Sequence, residues 1–165
     1  MTASTELAAL LERLSRAAEA ADGKGFAACF TEDGVYHDYI YGDHTGRADI
    51  AQMLEGLFRR DAKDYRWRFF DPVCDGRVGY AWSMSSFVST VPEFAGKTVT
   101  IDGMSRFELR DGLIADYRES VNGGVAMVQL GVAAGRMEKV LGKWSRQLLA
   151  GPEVARYRRS LGGTG

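Results

Sequence analysis

Glu119 is the residue whose surroundings most call for a chemical explanation. It lies in the run Leu113-Ile114-Ala115-Asp116-Tyr117-Arg118-Glu119-Ser120-Val121, and side chains along an extended strand alternate between two faces. Leu113, Ala115, Tyr117, Glu119 and Val121 therefore share the apolar face, where Glu119 is the exception. A carboxyl group among apolar neighbours is costly when charged. It either takes a partner or has a raised pKa, as a general acid or base requires. An ion pair with Arg106 or Arg118 is the plainer alternative. In a second run, Val35-Tyr36-His37-Asp38-Tyr39, the same alternation separates Tyr36 and Asp38 from His37.

The motifs the chain lacks narrow the chemistry. His37 and His44 are its only histidines, and no HxH, HExxH or CxxC cluster is present, so no protein-bound transition metal is expected. A Ser-His-Asp triad would have to recruit one of those two histidines, and there is no GxSxG elbow. No GxGxxG, GKT or GKS pattern follows a strand, so no nucleotide cofactor is expected either. Carboxylates, tyrosines and a single histidine in an apolar cavity suit proton transfer without any cofactor.

The elements that must position these groups are readable in order. Leu7, Leu10, Leu11, Leu14, Ala18 and Ala21 form one stripe on a helix from about Thr5 to Ala21, which Gly23 ends. A short helix through Phe26 follows, then the strand that carries Tyr36 and Asp38. The segment Tyr41-Gly42-Asp43-His44-Thr45-Gly46 reads as a loop whose Thr45 caps a third helix, with Asp49 in its first turn. Ile50, Met53, Leu54, Leu57 and Phe58 form that helix's apolar stripe, which must lie on the sheet. Tyr65 to Phe69 alternates aromatic with arginine, as a strand with one buried and one wet face does. Asp75-Gly76 turns it into a partner strand, Arg77 to about Thr90. There Val78, Tyr80, Trp82, Met84 and Ser86 share a face opposite the small residues Gly79, Ala81, Ser83 and Ser85. The bulky face is expected to serve a ligand or to fill the core beneath the helices. Pro92 and Gly96 place a loop at the rim. The next two strands meet at Asp111-Gly112, the clearest hairpin signal in the chain. Met137, Val140, Leu141, Trp144 and Leu148 mark a last amphipathic helix, stopped at Gly151-Pro152 and followed by a basic, frayed tail.

At 165 residues, 45% hydrophobic and with net charge -1, the chain is expected to form one domain, with its core at about 5–131, a helix at about 135–150 and the tail at 153–165. Near-zero charge does not favour nucleic acid. The opening residues have no basic lead, unbroken apolar run or cleavage site, so neither membrane insertion nor secretion is expected, and a cytoplasmic location is. Cys29 and Cys74 read as small buried hydrophobes rather than as a disulfide.

The order of elements resembles the nuclear transport factor 2-like superfamily, which includes SnoaL-like polyketide cyclases and ketosteroid isomerase. The resemblance covers about residues 5 to 131. It rests on Phe30-Thr31-Glu32-Asp33-Gly34-Val35, on Gly46-Arg47 with Ile50, and on Phe107 through Asp111-Gly112-Leu113-Ile114. It implies an α+β fold in which a cone-shaped, curved mixed β-sheet, a cystatin-like α+β barrel, wraps around helices and a central apolar pocket. It also implies a homodimer formed through the outer face of the sheet. By position, the resemblance puts Asp38 where ketosteroid isomerase keeps its proton-shuttling aspartate and Glu119 near the catalytic acid of SnoaL-like cyclases. Leu14 replaces the isomerase's first-helix tyrosine, and Asp102 shares what looks like the outer face with Arg106 and Glu108, so steroid isomerisation is disfavoured. The resulting expectation is a cofactor-independent lyase, dehydratase or isomerase acting on a hydrophobic, aromatic small molecule. Asp38 or Glu119 would take a proton and Tyr36 or Tyr117 would hydrogen-bond a developing oxyanion. Trp67, Tyr80, Trp82, Met84, Phe107 and Val121 would bind the substrate. Family members that release formaldehyde from lignin-derived diaryl compounds, and those that cyclise polyketides, are the two specific versions. A ligand-binding or association module without catalysis is the alternative from another class.

Overall fold

The sheet is built outward from the Asp111-Gly112 hairpin. In the computed structural model, which describes residues 2–38 and 40–162, Asp111 and Gly112 have φ of 54° and 74°. Positive angles at both central residues are what a tight two-residue connection between antiparallel strands needs. The hairpin joins β5 (Thr98–Arg110) to β6 (Leu113–Val121). The remaining strands are β1 (Phe30–Asp38), β2 (Gly42–Thr45), β3 (Ala62–Cys74) and β4 (Val78–Ser89). Their order is β2-β1-β6-β5-β4-β3, with β1 parallel to β6 and every other pair antiparallel. The result is an open, mixed six-stranded sheet in an α+β fold.

Before β1 come α1 (Ala3–Ala20) and α2 (Gly23–Ala27). Thr2 caps α1 by accepting the Thr5 backbone N–H. Between β2 and β3 the helical run consists of α3 (Arg47–Gln52), a π-helical stretch Met53–Phe58, and α4 (Arg59–Asp61). The expected stripe is the buried one: Ile50, Met53 and Leu54 are almost inaccessible, and Leu57 and Phe58 pack partly buried against the same core. That core joins the α1 leucines to Phe26, Phe30, Tyr36, Trp67, Phe107, Ile114 and Tyr117. A short helix, α5 (Gly123–Leu130), follows β6. The chain divides into two compact units after Leu130. The second unit contains α6 (Ala134–Ala150) and α7 (Pro152–Ser160). Pro152 does stop α6, but at the first position of a new helix, so the stretch expected to fray carries α7. Among the described residues no helix is long and apolar enough to cross a membrane.

Two expectations are corrected. On β4 the small face is the inward one: Gly79, Ala81 and Ser83 are buried, while Tyr80, Trp82 and Met84 are more than two-fifths exposed. The cause is the close approach of α1, because a Cβ at Gly79 would lie 2.4 Å from Cδ2 of Leu7. Tyr80, Trp82 and Met84 therefore do not share a face with Glu119 and are not lining residues of an inner pocket. On β6 the alternation is broken by a bulge. Leu109 pairs with Ile114 but Glu108 pairs with Asp116, which leaves Ala115 as the extra residue. Ile114 and Tyr117 consequently both turn inward, and both are fully buried.

Candidate active site

Strands β1, β6, β5 and β3 bring the inward groups together. Across β5 and β6, Ser105 lies opposite Glu119 and Phe107 opposite Tyr117. Across the parallel pair, Tyr36 lies beside Tyr117 with ring centroids 4.6 Å apart. Trp67 of β3 stands edge-on to Tyr117 at 6.0 Å, and Phe58, from the π-helical stretch, stands edge-on to Tyr36 at 6.5 Å. Asp38 is two residues beyond Tyr36 on the same strand and face. Tyr36, Tyr117, Trp67, Phe107 and the two acids therefore belong to one inner surface. Val121 is half-buried further along β6, opposite Gly103.

A chain of hydroxyl groups ends on Glu119. The Tyr117 hydroxyl donates to Oε2 of Glu119 at 2.8 Å. Its single proton is thereby committed, so the Tyr117 oxygen is left as an acceptor toward Ser105 Oγ, 3.2 Å away. Ser83 Oγ is 3.5 Å from Ser105 Oγ and donates to the Gly103 carbonyl at 3.3 Å. Among the described residues, the two candidate arginines bond other carboxylates. Arg106 donates to Glu108 and Arg118 to Asp116, both on the outward face.

Burial pushes the Glu119 carboxyl up to about 7, and the negative charge of Asp38 adds to the rise while the Tyr117 hydrogen bond opposes it. Glu119 keeps some accessible surface despite this degree of enclosure, a combination that suits a group lining a recess better than one sealed in a core. Burial also raises Asp38, whose Oδ1 accepts the backbone N–H groups of Ile40 and Tyr41 at 2.7 Å each. Those bonds and the nearby His44 pull in the opposite direction. The Tyr36 and Tyr117 phenols lie well above their ordinary range, chiefly through desolvation, and stay protonated as donors. A surface cleft lined by Ala18, Leu54, Phe58, Ala62 and Tyr65 reaches the same aromatic cluster from the α1 side.

Four residues escaped the sequence reading. Tyr65 is close enough for both Glu119 and Asp38 to raise its phenol further. Ser105 and Ser83 were hidden among the small residues of β4 and β5, though alternation from Glu119 and Gly79 points to them. His44 is not in a loop: it lies in β2 opposite Tyr36, and Thr45 is a strand residue, so Gly46 rather than Thr45 precedes the helix as its cap. His37, in contrast, bonds Asp43 at 2.7 Å and Asp116 at 2.8 Å, on the face away from Tyr36.

The fold defined by this sheet and its inner aromatic surface is a ketosteroid isomerase-like fold, as structural relatives show. A protein from Catenulispora acidiphila with that fold, solved with trimethylamine, superposes with a TM-score of 0.68 at 14% identity, over 76% of this chain and 95% of that one. A candidate polyketide cyclase from Xanthomonas campestris gives 0.64 at 22% identity, covering 78% and 99%. An epoxide hydrolase of M. tuberculosis, similar to the LEH type, gives 0.64 at 18%, covering 84% and 98%. Residues 11–117 match the SnoaL-like domain, and the chain belongs to that family. The matched range ends two residues before Glu119. No curated protein is significantly similar in sequence.

Proposed function

We propose that this protein is a cofactor-independent acid/base enzyme that moves a proton on a hydrophobic, aromatic small molecule. The observation that carries the reading is Glu119: a carboxyl group at the edge of an aromatic surface, poised near neutrality by burial and held by the Tyr117 hydroxyl. A base works best when its pKa lies near the operating pH. Glu119 takes a proton from a carbon activated by a neighbouring carbonyl or ring, and a protonated phenol such as Tyr36 meets the oxyanion that forms. Elimination and isomerisation share this first step; in release of formaldehyde from a diaryl compound the same base instead takes the hydroxyl proton of the CH₂OH group as its C–C bond breaks and the electron pair passes to the activated carbon. Ring closure of a polyketide begins with the carbon proton too, and the cyclase named among the structural relatives favours that as the second reading.

Deuterium exchange tests the step without knowledge of the substrate. The activated CH₂ of 2-tetralone, incubated in heavy water, should exchange faster with the protein than with buffer. Glu119→Gln should lower that excess by on the order of a hundredfold to ten-thousandfold. Exchange at the buffer rate with both proteins would favour a ligand-binding module instead.

The same protein acts as a homodimer in the cytoplasm on this reading, with the partner copy on the outward face of the sheet. Phe70, Trp82 and Met104 form an exposed row straight across β3, β4 and β5. Exposed apolar rows with a charged rim are typical of association surfaces.

A further inference from the structure

His44 carries an unexplained polar atom. The residue is 9% exposed, and its Nε2 is, among the described residues, a buried side-chain nitrogen with no hydrogen-bond partner. Such atoms are uncommon in folded proteins, since leaving one unsatisfied costs about 1–3 kcal/mol. Its other ring nitrogen, Nδ1, faces Oδ1 of Asp49 at 3.0 Å, while Oδ2 of the same carboxylate accepts the Thr45 backbone N–H at 3.0 Å. The bond to His44 holds the Asp49 carboxyl below its usual range, so it is ionised and can only accept. Nδ1 must therefore carry the proton. Nε2 is left as a lone pair in neutral His44, or as a second N–H when the ring is charged.

The register says where that nitrogen lies. His44 pairs with Tyr36, and Gly42 with Asp38, so His44 and Asp38 are diagonal neighbours on the inward face of one antiparallel pair. Asp38 in turn is engaged through Oδ1 with the amides of Ile40 and Tyr41, immediately past the end of β1. An imidazole nitrogen without a partner among the described residues thus lies beside a buried carboxyl whose Oδ1 is held by a turn. Among the described residues, the titratable groups bearing on Nε2 are Asp49 from α3 and Asp38 and Tyr36 from β1; Asp43 of β2 is turned to His37 on the opposite face.

Resting on the reading of Asp38 as an acid/base group of the site, we propose that His44 is a positioning residue for Asp38. Asp49 holds its ring through Nδ1, and Nε2 is the partner that the Asp38 carboxyl takes up when it leaves the Ile40 and Tyr41 amides. In that arrangement Asp38, His44 and Asp49 form one line and share a single mobile proton. It sits on Asp38 as a neutral acid bonded to the Nε2 lone pair, or on Nε2 as an imidazolium between two carboxylates. Moving it needs only a shift along one hydrogen bond. Asp38 thereby gains a nearby store for the proton it takes from a substrate, while Glu119 keeps its own.

The test follows carboxyl and ring titrations by NMR in the intact chain, labelled at aspartate and histidine. Asp38→Asn assigns the carboxyl signal, and with two histidines in the sequence His37→Gln assigns the ring. The Asp38 signal should show an inflection at the pH where the His44 ring titrates. His44→Phe should abolish that inflection and raise the Asp38 midpoint by about one pH unit, because an opposite charge close by favours the ionised acid. Asp49→Asn, which leaves the ring in place, should carry the His44 midpoint and the Asp38 inflection downward together. Through-space charge alone would also shift Asp38, so the nitrogen-15 shift of Nε2 is followed too: it should change at the Asp38 midpoint as well as at the ring's own, and an Nε2 signal blind to Asp38 would overturn the shared proton. If wild-type Asp38 titrates with no inflection at the His44 midpoint, the proposal is overturned whether or not the variants fold. If coupling is found but 2-tetralone exchange is insensitive to both Asp38→Asn and Glu119→Gln, the positioning inference holds and the acid/base reading of the site falls.

Discussion

A single carboxyl group sets the balance between stability and chemistry at the inner surface. The Glu119 pKa rises from its ordinary 4.5 to about 7 on folding, so between those values the folded protein binds more protons than the unfolded chain. Stability from this group is therefore fully present below pH 4.5 and is lost as pH rises through 7. At order-of-magnitude level the loss is about 3 kcal/mol, since one pKa unit corresponds to about 1.4 kcal/mol. Glu119→Gln removes the charge while keeping the shape. Urea denaturation should find the variant more stable than wild type at pH 8 and nearly equal to it at pH 4.5; a wild-type advantage at pH 8 would show that the charged carboxylate is well solvated or paired. The Tyr117 hydroxyl opposes the upward shift, so Tyr117→Phe should move the Glu119 midpoint still higher. Carbon-13 titration of the glutamate signals would measure that shift, and a downward movement would contradict the hydrogen-bond assignment.

At the scale of elements, what was legible in the sequence depended on how local the cause was. The β5–β6 hairpin is dictated by two adjacent residues, Asp111 and Gly112, whose backbone angles no neighbouring element needs to arrange. The α1 and α3 stripes were equally plain, because helical periodicity marks a single apolar side. Glu119 was legible for a related reason: it is the acid that interrupts an apolar set. Alternation on β4 divided its residues correctly but does not say which set faces in. Bulk suggested Tyr80, Trp82 and Met84, whereas the inward side is decided by α1, seventy residues away in sequence, which demands no side chain at Gly79. The bulge at Ala115 and the four-residue strand holding His44 were hidden because each depends on a partner strand. The packing argument can be measured. Gly79→Val should destabilise the fold by about 1–3 kcal/mol, the usual cost of forcing extra atoms into a packed contact. Urea titration would detect it, and an unchanged midpoint would mean that Leu7 yields freely.

For the whole molecule, the residues displaced from the expected pocket suggest a different use. Turned outward, Tyr80, Trp82 and Met84 join Phe70 and Met104 in an apolar area that no element of the chain's first unit covers. Charged residues border it. Residues of both signs stand at each end: Asp102 and Arg68 lie opposite Met84 on the two neighbouring strands, and Arg106, paired with Glu108, lies opposite Tyr80. A two-fold axis through Trp82 would lay the row against its own copy, as a self-complementary interface requires. Burying that row in a partner removes large aromatic surface from water, and aromatic anchors at the centre of an interface commonly dominate its strength. A charge placed there must then be desolvated without a partner, which costs far more than the lost contact alone. Trp82→Glu should accordingly yield a monomer in sedimentation equilibrium at micromolar concentration, where the wild-type protein should sediment as a dimer. The inner surface lies on the opposite side of β4, so the glutamate titration of the variant should keep its midpoint near 7. A monomeric wild-type protein would remove the reason for the outward row. A variant that stays dimeric would place the two-fold contact elsewhere.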